Sequence, residues 1–325
     1  MQLVHGWYIL SMGFTDMNTT SHGATLTLRR AYNEILLPCK VAKSGTLSND
    51  RTALNWFEKL VPLIATTPVD KITSRDLAVW RASWSTTGLT PQTFNKNLRH
   101  VRSMLRDLDD LDILPGKLPR CGPLPENDPE VRIGSLDEIE RLYEHATVAE
   151  WPAQRGITPP QYWRALLVLA YTTGLRRSDM LAIRPADVSL KQRQLVYRAV
   201  KTGKLRTIPL TQACCLHLAT LMKAAVECSG YVFYSTKSKR QFYREWERIQ
   251  DAGDIWPRLD VHDLRKTCGS RVYEKVGLNA ASELLAHSSL AVTRKHYISG
   301  SVASEGLRPA VDAIPLPDNV RLFVG

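Results

Sequence analysis

A chain of 325 residues is long enough for two domains, each with its own buried core. With 44% hydrophobic and 23% charged residues it has the composition of a globular protein, and no run of about 18 apolar residues offers a membrane span. The net charge of +11 favours a polyanionic partner and leaves nucleic acid and an acidic membrane surface both open.

Residues 1–25 carry no periodic signal and read as a lead-in. The opening MQLVHGWYILSMGF lacks a basic n-region and a small-residue cleavage site, so no signal peptide is expected, and Met12 or Met17 could be the true start. Helices are predicted over roughly 26–37, 50–64, 74–85 and 91–108, with Thr73 or Ser74 capping the third. These make one helical domain over 26–112. In the fourth helix Phe94, Leu98, Val101, Leu105 and Leu108 fall on one stripe. A second stripe holds Asn95, Arg99, Arg102 and Arg106, with Lys96 beside it, and is either a solvated face or a phosphate-contacting one.

Five prolines (Pro115, Pro119, Pro123, Pro125, Pro129) mark 113–134 as a linker between domains. Ser135 and Glu138 form a capping box ahead of a helix to about His145. The next helix, from Pro160 to about Thr173, is apolar on most sides and should be buried, and Gly174 ends it. From Gln194 to Leu210 the period changes to two around the turn Lys201-Thr202-Gly203-Lys204, which predicts a β-hairpin with Lys201 at its tip. Residues 213–226 read as helix, and KSKRQFYREWERIQ then places Arg240, Arg244 and Arg248 on a basic stripe. Residues 301–325 form a tail in which SEGLRPAVDAI can hold one short helix. The cysteines Cys39, Cys121, Cys214, Cys215, Cys228 and Cys268 form no C-x-x-C pair, which argues against a zinc site or a disulfide framework and for a reducing compartment, the cytoplasm.

The chain is organised around residues 261–298, VHDLRKTCGSRVYEKVGLNAASELLAHSSLAVTRKHYI. His262 and Arg265, three apart, share a helix face beside an apolar row of Leu264, Cys268 and Val272. Gly277 closes that helix and Asn279 can cap the next. His287 follows, and Tyr297 stands ten residues further on. Two imidazoles, a guanidinium and a phenol equip a chain to handle a phosphodiester, and the stretch has no carboxylate trio for Mg²⁺.

H-x-x-R, L-x-H-S-S and a downstream Tyr together resemble the tyrosine recombinase (phage integrase) family. The resemblance extends to YTTGLRRSDMLAI, which supplies Arg176 with Asp179 at the family's acidic position, and to AVKTGKLRTIPL, which supplies Lys201 in a K-x-x-K-x-R pattern. The order Arg, Lys, His-x-x-Arg, His, Tyr over about 120 residues is far more specific than any single motif. Ala286 stands where the family generally has Gly, and the family's usual His-to-Tyr spacing is nine.

The resemblance implies a mainly α fold with a small β-hairpin sheet: a two-domain clamp around duplex DNA, with a helical core-binding domain and a catalytic domain over 135–300. It implies a site-specific recombinase acting as a tetramer on two DNA sites, without ATP or metal, associated with prokaryotic or phage DNA in the cytoplasm and open to assistance from accessory DNA-bending proteins. Attack on a phosphodiester gives a phosphorane with a second negative charge, and the rigid forks of Arg176 and Arg265 suit its oxygens. Tyr297 is the implied nucleophile, His262 and His287 are donors or a base, and Lys201 is the acid for the leaving 5′-oxygen, with Lys204 in competition. Asp179 either orients the Arg176 helix or is a surface charge. Lys96, Arg99, Arg102, Arg106, Lys204, Arg240, Arg244 and Arg248 are the candidate DNA contacts. An integrase-derived DNA-binding accessory protein that has lost its chemistry, and a His-rich metal phosphoesterase, are the alternatives.

Overall fold

The computed structural model describes residues 25–40, 44–114, 116–127, 131–152, 156–228, 230–233, 239–285, 311–312, 314–316 and 318–321. They divide into two compact units, Met1–Asp128 and Pro129–Gly325.

Unit 1 is helical. Thr27 caps α1 (Leu28–Ala31), which runs through a π-helical segment (Tyr32–Leu36) into α2 (Leu37–Cys39). Helix α3 (Ser44–Leu60) begins earlier than its apolar periodicity indicated, because its first turn is polar. Thr73, rather than Ser74, caps α4 (Ser74–Ser83), in a reciprocal box with Asp76. In α5 (Pro91–Asp109) the predicted apolar stripe is fully buried. Its Phe94 joins Phe57, Trp80 and Trp84 in an aromatic cluster with ring centroids 4.7–6.4 Å apart, burying a large apolar area at the centre of the unit.

The proline-rich stretch departs from a free linker. Asn95 is buried on α5 and exchanges 2.8 Å hydrogen bonds with the backbone of Leu124, its Oδ1 accepting from the N–H and its Nδ2 donating to the carbonyl. Its Nδ2 also donates to Glu126, Gln92 donates to the Asn127 carbonyl, and Cys121 is buried against α4. Residues 116–127 therefore belong to the surface of unit 1. Asn95 belongs to this clamp and leaves the cationic stripe.

Unit 2 is built on α7 (Pro159–Thr173), buried on nearly every side as its unbroken apolar run predicts. Before it comes α6 (Leu136–His145), with the expected Ser135/Glu138 box. Gly174 ends α7 in the left-handed region, φ 61°, its N–H bonded to the Ala170 carbonyl. The short α8 (Arg177–Met180) follows.

The sheet has three antiparallel strands rather than two: β1 (Val188–Ser189), β2 (Gln194–Arg198) and β3 (Leu205–Pro209), in that order. Leu195 pairs with Ile208 on the buried face, and Arg198 pairs with Leu205 at the end of the hairpin, where Ala199 N–H bonds to the Lys204 carbonyl. Lys201 is at the turn, as expected.

Helices α9 (Gln212–Cys228), α10 (Lys239–Ala252), α11 (Val261–Val276) and α12 (Leu278–Leu285) complete the unit. Leu264, Cys268 and Val272 are the buried row of α11. Asn279 lies inside α12 and does not cap it, because the helix starts directly after Gly277, whose carbonyl accepts from Ala281 N–H. The tail folds back: Val311, Ile314 and Val320 join the core, and Tyr171 Oη donates to the Pro315 carbonyl at 2.9 Å. Of SEGLRPAVDAI only Val311, Asp312 and Ile314 are described, and α13 (Asp318–Arg321) follows. Among the described residues no helix is long and apolar enough to cross a membrane.

Candidate active site

The site grows from the break after α7. Gly174 reverses the chain, and Arg176 stands in the N-cap position of α8 with its side chain about one quarter exposed (26%). Asp179, three residues on, is buried. Its Oδ1 accepts from Val200 N–H at 2.8 Å, and its Oδ2, which has no hydrogen-bond partner, lies 3.9 Å from Arg176 Nη1. One carboxylate thus links the Arg176 turn to the hairpin, one residue before Lys201. Lys201 and Lys204 are both exposed at that turn.

Helix α11 supplies the second guanidinium. Asp260 caps it in a box with Asp263, accepting from His262 N–H at 2.8 Å, which fixes the turn where His262 and Arg265 stand. The two residues differ in burial: His262 is exposed, whereas Arg265 is only 4% exposed. Arg265 Nη1 donates to the Gly174 carbonyl and Nη2 to the Leu285 carbonyl. A buried charge needs such partners, and these acceptors are carbonyl dipoles that leave the positive charge uncancelled. Burial, and then the like charge of Arg176, pull the Arg265 pKa down to about 10, so the group stays cationic near neutrality.

Partial enclosure, followed by the charges of Arg265 and Lys266, also lowers the His262 pKa against the opposing pull of Asp260 and Asp263. A neutral imidazole able to accept a proton follows. Tyr197 of β2 lies among the same charges, and burial and then Asp179 push its phenol up. It stays protonated, which makes it a poor nucleophile. His287 and Tyr297 lie outside the described residues, as does His296.

The basic stripes are partly as expected. On α5, Lys96, Arg99 and Arg106 are exposed and Arg102 is half-buried. On α10, Arg240 and Arg244 are exposed, but Arg248 pairs with Glu150 and, at 3.8 Å, with Glu245. Arg177 and Arg206 are among the arginines to which the sequence assigned no role. Arg177 lies over the rings of Phe242 and Tyr243, 5.2 and 5.7 Å from their centroids. Arg206 Nη2 donates to the Glu283 carbonyl at 2.7 Å. The last residue of K-x-x-K-x-R is Arg206, so the motif was its only signal.

A model described as the phage integrase family matches residues 135–303, just over half of the chain. This chain belongs to the phage integrase, or tyrosine recombinase, family. Within the family, tyrosine recombinase XerA of Pyrococcus furiosus is 26% identical over 163 residues, which cover 48% of this chain and 56% of that relative. The chain spans about half the length of the curated relatives it matches. The fold is that of the Tn1549 transposon integrase solved in complex with a circular intermediate DNA (TM-score 0.64, 15% identity, 85% of this chain and 96% of that one). It is equally like a lambda integrase tetramer bound to a Holliday junction (TM-score 0.65, 18% identity, 84% and 78%).

Proposed function

We propose that the protein is a site-specific DNA recombinase that cuts and rejoins duplex DNA through a 3′-phosphotyrosyl intermediate at Tyr297. The observation that carries this reading is the placement of Arg265 against the backbone two residues before Arg176, close enough for one guanidinium to lower the pKa of the other. A buried cation, Arg265, and a partly exposed one, Arg176, with one buried carboxylate linking them to the hairpin form a site short of negative charge. A phosphodiester supplies one unit on binding and a second in the phosphorane, so the attraction grows toward the transition state.

In the proposed step the Tyr297 oxygen bonds to phosphorus and the P–O5′ bond breaks. The phenol proton passes to an imidazole, His262 or His287, and the leaving oxygen takes a proton from Lys201, with Lys204 its competitor. Attack by a 5′-hydroxyl on the phosphotyrosine reverses these transfers and rejoins a strand, so no external energy source is required. Duplex DNA is the partner, and the work of exchanging strands between two sites calls for a tetramer of this chain, with accessory DNA-bending proteins where the sites need shaping. Lys96, Arg99, Arg102, Arg106, Arg240 and Arg244 would contact phosphates, while Arg248 must first give up its ion pairs.

The test is to incubate the protein with a library of DNA duplexes in EDTA, denature in SDS, and sequence the DNA that stays covalently attached. Wild-type protein should leave an adduct at a defined site, and Tyr297→Phe none, at nearly unchanged DNA affinity, because affinity rests on phosphate contacts elsewhere. Binding with no adduct in the wild type would favour the catalytically silent accessory protein. Cleavage that EDTA abolishes would favour the metal phosphoesterase.

A further inference from the structure

We propose that Arg206 is a positioning residue of this site, tying the end of α12, and through it Arg265, to the hairpin that carries Lys201. Its catalytic consequence rests on the recombinase reading above; the tie itself does not.

Helix α12 has 8 residues, and its last carbonyls have no partner within the helix. Two of them are taken by guanidinium groups from other parts of the fold: Glu283 by Arg206 at 2.7 Å, and Leu285 by Arg265. Both cations also stand at the negative end of the helix dipole. Arg206 comes from β3, where alternation puts Leu205 and Thr207 on the exposed face and Arg206 with the buried Ile208 on the other. A guanidinium on the inner face of a strand costs free energy unless its donors are met, and the Glu283 carbonyl meets one.

Joined to the contacts already described, this bond closes a ring. From Lys201 the path runs along β3 to Arg206, across to the end of α12, and on to Arg265. Arg265 holds the Gly174 carbonyl before Arg176, and Asp179 returns the path to Val200 beside Lys201. Arg206 and Asp179 are the two points where the hairpin is fastened to the rest of this ring. Removing Arg206 breaks the ring on the β3 side and takes away one of the two guanidinium bonds to the end of α12.

The experiment uses the full chain and starts without DNA. Arg206→Ala should raise amide hydrogen exchange in residues 278–285 by roughly tenfold to hundredfold, the loss expected for one charged hydrogen bond, while α7 is unchanged. Arg206→Lys, which keeps a charged donor, should restore most of the protection. Where Arg206→Ala is too unstable to purify, Arg206→Met, which keeps the apolar stem, is read in the same way.

The second measurement uses the duplex recovered by adduct mapping. Arg206→Ala should slow single-turnover cleavage by about tenfold or more at unchanged affinity and salt dependence, as misplacement of Arg265 and Lys201 predicts. Unchanged exchange in 278–285 overturns the proposal. So does weaker binding with a salt slope reduced by about one, the signature of a lost phosphate contact. If the wild type forms no adduct on any duplex, the recombinase reading falls, and the exchange measurement still decides the tie.

Discussion

Helix α5 of unit 1 and helix α11 of unit 2 both carry arginines, and they hold them differently. On α5, Arg99 and Arg106 stand in water on a face beside the buried stripe that carries Phe94. On α11, Arg265 is buried and bonded to two backbone carbonyls. An exposed cation is inexpensive to keep and can gain affinity for DNA when counterions leave the backbone. A buried cation is costly, but its desolvation and orientation are complete before a substrate arrives, as stabilising a transition state requires. The contrast separates charge suited to binding from charge suited to chemistry.

Breaking the buried side of this contrast should have the largest effect. Arg265→Ala leaves the Gly174 and Leu285 carbonyls unpaired in the interior and should lower stability by roughly 3 kcal/mol in urea unfolding. It should also reduce strand cleavage by about a thousandfold or more. Arg265→Lys should recover little of either, because an ammonium cannot span two carbonyls as the fork does. A variant as stable as the wild type would place the energetic role of Arg265 entirely in catalysis.

The exposed side predicts a smaller loss of a different kind. Reversing Arg99 and Arg106 to Glu together should leave the unfolding midpoint within error and weaken DNA binding across all sequences. The slope of log affinity against log salt should fall by about two, one for each phosphate contact removed. An unchanged slope would make α5 a merely solvated surface.

A partly buried base elsewhere in unit 2 sharpens the comparison. His217 Nε2 lies 3.1 Å from Tyr143 Oη, and Arg164 lies over the ring of that tyrosine. Burial, then the Arg164 charge, lower its pKa to about 4. It therefore stays neutral where Arg265 stays charged. Because the unfolded imidazole takes up a proton near its ordinary value of about 6.5 and the folded one does not, the stability from His217 is complete above that pH and is lost as pH falls toward about 4. Unfolding free energy measured from pH 7.5 to 4.5 should drop by roughly 2 kcal/mol more in the wild type than in His217→Gln. Parallel curves for the two proteins would mean that the imidazole titrates freely in the fold.

The parts of the fold written in local pattern were legible in advance. The α5 stripe, the Ser135/Glu138 box, the Gly174 stop and the Lys201 turn each depend on residues within a few positions of one another. The rest depended on partners far along the chain. Asn95 reads as a member of a cationic face until Leu124, 29 residues away, is seen against it. Arg248 completes an i, i+4 stripe until Glu150 takes its charge. Arg206 and Glu283 are 77 residues apart, and no periodicity announces a bond between a side chain and a carbonyl. Asn279 misled for another reason: a capping residue type was present, but Gly277 alone punctuates the two helices. Of the candidate site, the motif order placed Arg176, Lys201 and Arg265 in one unit, whereas the burial of Arg265 and its hold on α12 needed the tertiary structure.

Gly174 will behave under mutation as though it touched DNA. Its backbone is in the left-handed region, and a Cβ built on it would fall 2.5 Å from Leu285 Cδ2, itself a buried atom in the helix end that Arg265 holds. Any replacement at this position has to push the Leu285 side chain aside and hold a left-handed backbone as well. In a deep mutational scan selected on strand exchange, the position should tolerate no other side chain, and its column would be indistinguishable from that of a catalytic group. Mapped intolerance in this protein will therefore outline a surface larger than its contact with substrate, extended by a hydrogen atom that has no room to become a methyl group.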